Sequence, residues 1–379
     1  MWRPGERLYA LLVFGVVVLE ALALGGLVLT FSGRLLGLFG YPLVQRALLQ
    51  ALLLTGVALA LISAYVLLYH AYTEAKESRD RQAYEAWLAR FTRALFGEEE
   101  VPPPPWPRPA LEALLSLREM LKGEMEARLA DWLRQARPPW GRVLKGRWAS
   151  RPARLEALEA LAQARLPETL GLILPYLAHP DPVLRLAAAR AGARVVQGEG
   201  VEVFAQALLR AALPRGALLE ALLLLEGRAE PVVRRLLHEG GGEERWAALE
   251  ALGRLRLAPL AEAALGFLDH PDPELRAAAL RALLRLGHPP KGYEEALLAA
   301  LRDEREFLRA HAARLLALLG NDLARRALWR ALADPSFYVR RAAAEGLRSL
   351  DREALAQAAR KHPDPYGRAM AEQVLREAA

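Results

Sequence analysis

Two apolar runs open the chain, and a different periodicity follows them. Residues 8–31 (LYALLVFGVVVLEALALGGLVLTF) carry one charge, Glu20, and residues 47–69 (ALLQALLLTGVALALISAYVLLY) carry none. Each run is long enough to cross a bilayer, because about 20 helical residues rising ~1.5 Å each cover its ~30 Å core. Past residue 72 the apolar positions recur at three- and four-residue intervals. Tyr84, Trp87, Leu88, Phe91 and Leu95 share one helical face, which predicts a juxtamembrane helix over 73–97 continuing the second span. Residues 110–136 predict another amphipathic helix, with Leu111, Leu114, Leu115, Leu117, Leu121, Met125 and Leu129 as its stripe. Between the two lies GEEEVPPPPWPRP. Such a proline run reads as an extended spacer at about 3.1 Å per residue; an SH3-type ligand is the rarer use of four prolines.

From Trp148 onward the pattern repeats. An arginine column at Arg154, Arg185, Arg215, Arg245, Arg276, Arg309, Arg340 and Arg368 is followed each time by an alanine- and leucine-rich segment. Its period of about 31 residues has room for only two helices, which is the mark of a repeat architecture. HPDP occurs three times, at 179–182, 270–273 and 362–365. Its first proline stops the outgoing helix and its aspartate (Asp181, Asp272 or Asp364) supplies an N-cap oxygen. Its second proline then takes the first helical position, where no N–H is needed. A metal-site reading fails on distance. His179 and His270 lie three repeats apart, on the order of 30 Å when helices pack at about 8–10 Å, whereas zinc ligands sit at about 2 Å.

The pattern in DPSFYVRRAAAEGL, residues 334–347, resembles HEAT repeats, especially the short bacterial type named after phycobilin lyases. The resemblance covers 148–379, strongest at Arg185, Arg276, Arg309 and Arg340, and weaker at Arg154 and at Arg215, where the aspartate is missing. It implies a right-handed α-solenoid of about eight repeats whose second helices line a concave face, with the recurrent arginine pairing with a neighbouring turn aspartate as a scaffold ladder. The expected fold is therefore all-α. A transmembrane hairpin (1–72), the juxtamembrane helix (73–97), a Pro-rich linker (98–109), a connector helix with a basic segment (110–147) and the solenoid (148–379) follow in order.

Orientation follows from the basic residues flanking the spans. Arg3 and Arg7 precede the first span, Arg34 and Arg46 lie between the two, and Lys76, Arg79, Arg81, Arg90 and Arg93 follow the second. That weighting places both termini and the repeats in the bacterial cytoplasm, at the inner membrane. A cleaved signal peptide is the alternative for the first run, but the run is too long, contains Glu20 and is followed by a second span. Glu20, near mid-bilayer, is expected to be protonated and bonded to Thr55 or a carbonyl, or else to meet a polar residue of another membrane protein.

Charge changes little in this picture. The formal net charge is +7, but residues 151–379 carry 33 basic and 30 acidic groups, too even a balance for a nucleic-acid footprint. Residues 137–154 are the exception, with six basic groups, two tryptophans and no acid. Arg142, Lys145, Arg147, Trp140 and Trp148 are candidates for lipid head groups, and packing of the tryptophans on the first repeat is the alternative. Five residues past the arginine column, Glu159, Arg190, Glu220, Glu250, Arg281, Arg314 and Glu345 alternate in sign, and Arg194, Arg254 and Arg285 follow on the same face. Pairing between repeats, such as Glu250 with Arg281, is expected. Arg190, Arg194, Arg254, Arg281, Arg285 and Arg314 are also the candidates to face a partner.

Cysteine is absent, which excludes disulfides and thiolate metal sites. The sequence contains no GxSxG motif and no phosphate-cradling glycine loop. Catalytic residues, a metal, a cofactor and a small-molecule substrate are therefore not expected. The 46 arginines against 5 lysines, with Asn321 the lone asparagine, fit a heat-adapted source or a GC-rich genome. A solenoid presents an extended binding surface. The expected function is a membrane-anchored scaffold for a membrane protein, such as an integral enzyme or an envelope or exopolysaccharide assembly. A HEAT-like DNA glycosylase is the alternative, and a bilin lyase rests on the repeat subtype alone.

Overall fold

The computed structural model describes residues 42–377 together with Gly25, Gly26 and Phe31. The first expected span, with Glu20, otherwise lies outside the described residues, so only one arm of the expected hairpin is described. Every regular element among the described residues is helical. The chain divides into two compact units with the boundary at Leu129/Ala130.

In the first unit, α1 (Pro42–Leu95) is one unbroken helix of 54 residues, about 80 Å long at ~1.5 Å per residue. The second span and the juxtamembrane pattern thus belong to a single rod. Within it Thr55 Oγ1 donates to the Ala51 carbonyl at 2.8 Å. The proline run turns the chain back rather than spacing it out. Trp106 packs its ring 5.3 Å from Phe91 and 6.4 Å from Trp87, and its Nε1 donates to the Pro102 carbonyl. Glu99 fastens the same corner through Arg90 and Arg93. α2 (Arg108–Met120) then buries Ala113, Leu114 and Leu117.

The single helix expected over 110–136 is two helices, α2 and α3 (Glu124–Ala136). Leu121 is extended and Gly123 adopts φ +74°, a left-handed conformation that glycine takes without strain. The buried Arg118 closes the break by donating from Nη1 to the Glu126 carbonyl at 2.6 Å.

The second unit continues with α4 (Trp140–Lys145) and α5 (Arg151–Ala164), followed by α6 (Leu170–Ile173) with its 3₁₀ extension, and α7 (Pro182–Val195). Next are α8 (Gly200–Arg210), α9 (Arg215–Leu224), α10 (Ala229–Glu239), α11 (Gly242–Arg254), α12 (Ala261–Leu265) and α13 (Pro273–Leu286). The last six are α14 (Glu294–Ala300), α15 (Glu306–Leu316), α16 (Asp322–Ala331), α17 (Phe337–Leu350), α18 (Arg352–Lys361) and α19 (Pro365–Arg376). Odd-numbered helices from α5 to α19 are the second members of eight pairs. They stack on one another in order, α5 on α7 through to α17 on α19. Small residues make that layer close: a Cβ added to Gly253 of α11 would meet the Ala282 Cα of α13 at 2.8 Å. The interior is almost wholly alanine and leucine, continuous from Leu144 to Val374.

Candidate docking face

The turns between paired helices set the register of everything on the second-helix face. Asp181 and Asp272 cap α7 and α13 by accepting from Val183 N and Glu274 N, Asp364 caps α19 by accepting from Gly367 N, and the following proline opens each helix. In the third pair, which lacks the aspartate, α9 begins three residues late, at Arg215 itself. Without a hook to hold, the Arg215 guanidinium lies 4.7 Å over the Trp246 ring.

The arginine column works differently from a simple ladder. Apart from Arg215, each guanidinium first reaches back to a carbonyl of its own turn or of the segment just before it. Arg185 bonds His179 O and Pro180 O, Arg276 bonds His270 O and Pro271 O, Arg340 bonds Asp334 O and Pro335 O, and Arg368 bonds His362 O and Pro363 O. Only Arg276 and Arg309 also reach the next turn's aspartate, Arg276 to Asp303 at 2.7 Å and Arg309 to Asp334 at 2.8 Å. The Nε atoms of Arg154, Arg185, Arg245 and Arg340 are buried with no partner among the described residues.

Sequence reasoning missed the role of the HPDP histidines. His179 Nδ1 accepts from Asp181 N and His270 Nδ1 from Asp272 N, both at 3.0 Å, and His362 Nδ1 from Asp364 N at 3.2 Å. Each ring also lies against an aromatic, Tyr176 or Phe267 just before the turn, and Trp329 of α16 in the case of His362. These nitrogens are engaged by the backbone. No cluster of three or more potential ligands suited to a metal ion occurs among the described residues.

About two turns into the second helices lies the charge cluster. Glu250 of α11 has a side chain only 3% exposed, and it receives Arg281 Nε at 2.6 Å and Arg285 Nη1 at 2.7 Å, both from α13. Arg254 adds a third guanidinium at 3.8 Å. Burial opposes the charge on Glu250, yet the bonds from Arg285 and Arg281 hold its carboxyl below the usual range. Arg314, half-buried on α15, forms no ion pair with a described residue. Beside it His311 buries an unpartnered Nδ1, and burial, reinforced by Arg281 and Arg314, lowers its pKa to about 4. Sequence reasoning missed His311, because a single histidine among alanines carries no pattern. The cluster therefore sets four arginines against one carboxylate, an excess suited to a partner's acidic group.

The remaining candidates separate. Arg190 pairs with Glu220 at 2.7 Å, and Arg194 is half-buried one turn further on. Trp140 is half-buried and packs against the repeat core. Trp148 is 90% exposed with Arg147 over its ring at 5.6 Å, and Arg142 and Lys145 are exposed nearby in sequence.

Residues 261–348 and 294–376 match the family profile described as HEAT repeats. This segment is thus similar to HEAT repeats. The matched segment includes α13, α15 and α17, and with them Arg281, Arg285, His311 and Arg314. Comparison with curated proteins returns no match. Among solved structures, the chain is similar to an engineered protein at 16% identity, covering 79% of this chain and 95% of that one with a TM-score of 0.40. It is also similar to a designed armadillo repeat protein at 17% identity, covering 56% of this chain and 99% of that one with a TM-score of 0.33.

Proposed function

We propose that the chain is a membrane-tethered adaptor whose HEAT repeats dock a protein partner, a membrane protein or membrane-bound assembly, on the cytoplasmic side, and that it acts by binding rather than catalysis. The observation that carries the reading is the state of α1. Among the described residues, one helix, Leu53–Leu95, is long and apolar enough to cross a membrane, and none of its most apolar stretch is buried. Leu54, Leu61, Tyr65 and Leu68 stand exposed. Apolar side chains of that size in water cost on the order of 1.5–3 kcal/mol each relative to burial, so lipid is the covering that fits a row this long. Exposed Trp148 with Arg142, Lys145 and Arg147 suits the head-group region. The arginine excess around Glu250 suits an acidic partner surface. Three of those four arginines share Glu250, which gives the nucleic-acid reading less support.

Fractionation of cells expressing the full chain tests the anchor. The wild type is expected in the membrane fraction, and Leu54→Arg with Leu61→Arg shifts it toward the soluble fraction, each arginine costing about 2.5–3.5 kcal/mol at mid-span. A wild type found in aqueous extract sinks the proposal. Co-purification in detergent tests the docking face. Arg314→Glu, which breaks no ion pair, is expected to reduce partner recovery, and unchanged recovery removes Arg314 from the docking face.

A further inference from the structure

The first-helix side of the repeats carries an inter-repeat groove of about 530 Å³ between α14 and α16. Its floor includes Leu298, Leu301 and Leu323, half-buried leucines resting on the core. Three exposed arginines, Arg302, Arg326 and Arg330, line the same recess. None of the three forms an ion pair or side-chain hydrogen bond with a described residue. Elsewhere on this layer arginines find carboxylates: Arg234 pairs with Glu230, Arg235 with Glu202 and Glu239, and Arg325 with Asp322 and Asp351. The one acid in the groove, Asp334, is already committed to Arg309 and to Ser336 N.

We infer that this groove is a second docking site, for an acidic amphipathic helix of a protein partner. Leucine-type side chains on one face of such a helix would fill the floor, while its carboxylates meet the three guanidiniums, the helix-in-groove mode of recognition. Length fits this occupant. α14 and α16 have 7 and 10 residues, so the groove runs roughly 10–15 Å, or two to three helical turns. A bilayer fits poorly, since the apolar floor is recessed between two helices. The inference rests on the reading of the repeats as a protein-binding platform and is independent of the anchor.

The test uses the full chain in mild detergent and a fluorescein-labelled peptide of Glu, Leu and Ala, with leucines at three- and four-residue spacing. A counterpart with Gln for Glu serves as control. Saturable binding read by anisotropy is expected, weakened roughly tenfold or more by Arg326→Glu with Arg330→Glu and by the Gln peptide, and reduced by salt. Arg210→Glu, at an exposed position on α8 outside the groove, is expected to leave it unchanged. Because Arg326 and Arg330 are exposed and form no ion pair with a described residue, the double variant is expected to keep the wild-type circular dichroism spectrum and melting temperature. Equal binding by the double variant or by the Gln peptide, or no saturable binding, overturns the site. Displacement of the peptide by phosphatidylglycerol micelles, with no effect from phosphatidylcholine, assigns the groove to lipid and overturns the protein occupant. If the peptide fails while partners still co-purify through the Glu250 face, the groove alone is lost and the adaptor reading stands.

Discussion

At the first residue of each turn this chain uses histidine and aspartate for the same bond. His179 and His270 offer Nδ1 to the N–H two residues on, and Asp303 and Asp334 offer Oδ1 to Arg305 N and Ser336 N. Only the carboxylate has a second oxygen and a charge left for the arginine of the preceding repeat. This is why Arg276 and Arg309 find aspartates while Arg245, which faces the His270 turn, keeps an unpartnered Nε. Asp334→Ala removes a two-oxygen pairing with Arg309, whose side chains are 13% and 10% exposed, and frees Ser336 N as well. Breaking a pair this buried is expected to cost about 2–4 kcal/mol, read as a lower melting temperature of the full chain in detergent. A change under about 0.5 kcal/mol would show that the rung is idle. His270→Asp, by contrast, restores the acceptor and supplies a carboxylate to Arg245, so it is expected to leave stability equal or higher, whereas His270→Ala lowers it by about 1 kcal/mol. If both substitutions destabilise equally, stacking on Phe267 rather than the Nδ1 bond is what the ring contributes.

Helix boundaries were readable wherever local chemistry dictates them. The Asp-Pro pairs announced α7, α13 and α19, because an N-cap oxygen followed by a residue without N–H suits only a helix start. The late start of α9 follows from the same chemistry, since Pro214 precedes it with no side-chain acceptor. What periodicity alone left unseen depends on contacts distant in sequence. An unbroken stripe over 110–136 hid the break at Gly123, which is closed by Arg118 on the Glu126 carbonyl. The proline run gave no sign that Trp106 returns to Phe91. Alanine and glycine in the second helices did signal close approach. Gly253→Ala tests it, because the new Cβ meets the Ala282 backbone at 2.8 Å and α11 and α13 must part. Thermal unfolding is expected to show a loss of about 1–3 kcal/mol, although the same change at an open helical position raises helix propensity.

Across the molecule, the charge cluster was legible as a column of alternating charge but not as a hub. The sequence paired Glu250 with Arg281, and the structure adds Arg285 and Arg254, together with His311 from the next repeat, joining α11, α13 and α15. That convergence is expected to make the repeats acid-sensitive. Burial, reinforced by Arg281 and Arg285 on α13 and Arg314 on its own helix, favours neutral imidazole over the opposing pull of Glu250 on α11, with a folded pKa of about 4 against an ordinary value of 6.5. The unfolded chain therefore binds more protons than the folded one between those two values. Stability is full above about pH 6.5 and falls as the pH drops toward 4, by about 1–2 kcal/mol between pH 7 and 5 at ~1.4 kcal/mol per unit. Glu250, held below the usual carboxylate range, keeps its charge through that interval and adds its own loss only at lower pH. Melting curves of the full chain and of His311→Gln at pH 7, 6 and 5 isolate the contribution, because other titrating groups are common to both. The wild type is expected to lose more than the variant by that amount, and parallel curves would mean that His311 is solvated and outside the network.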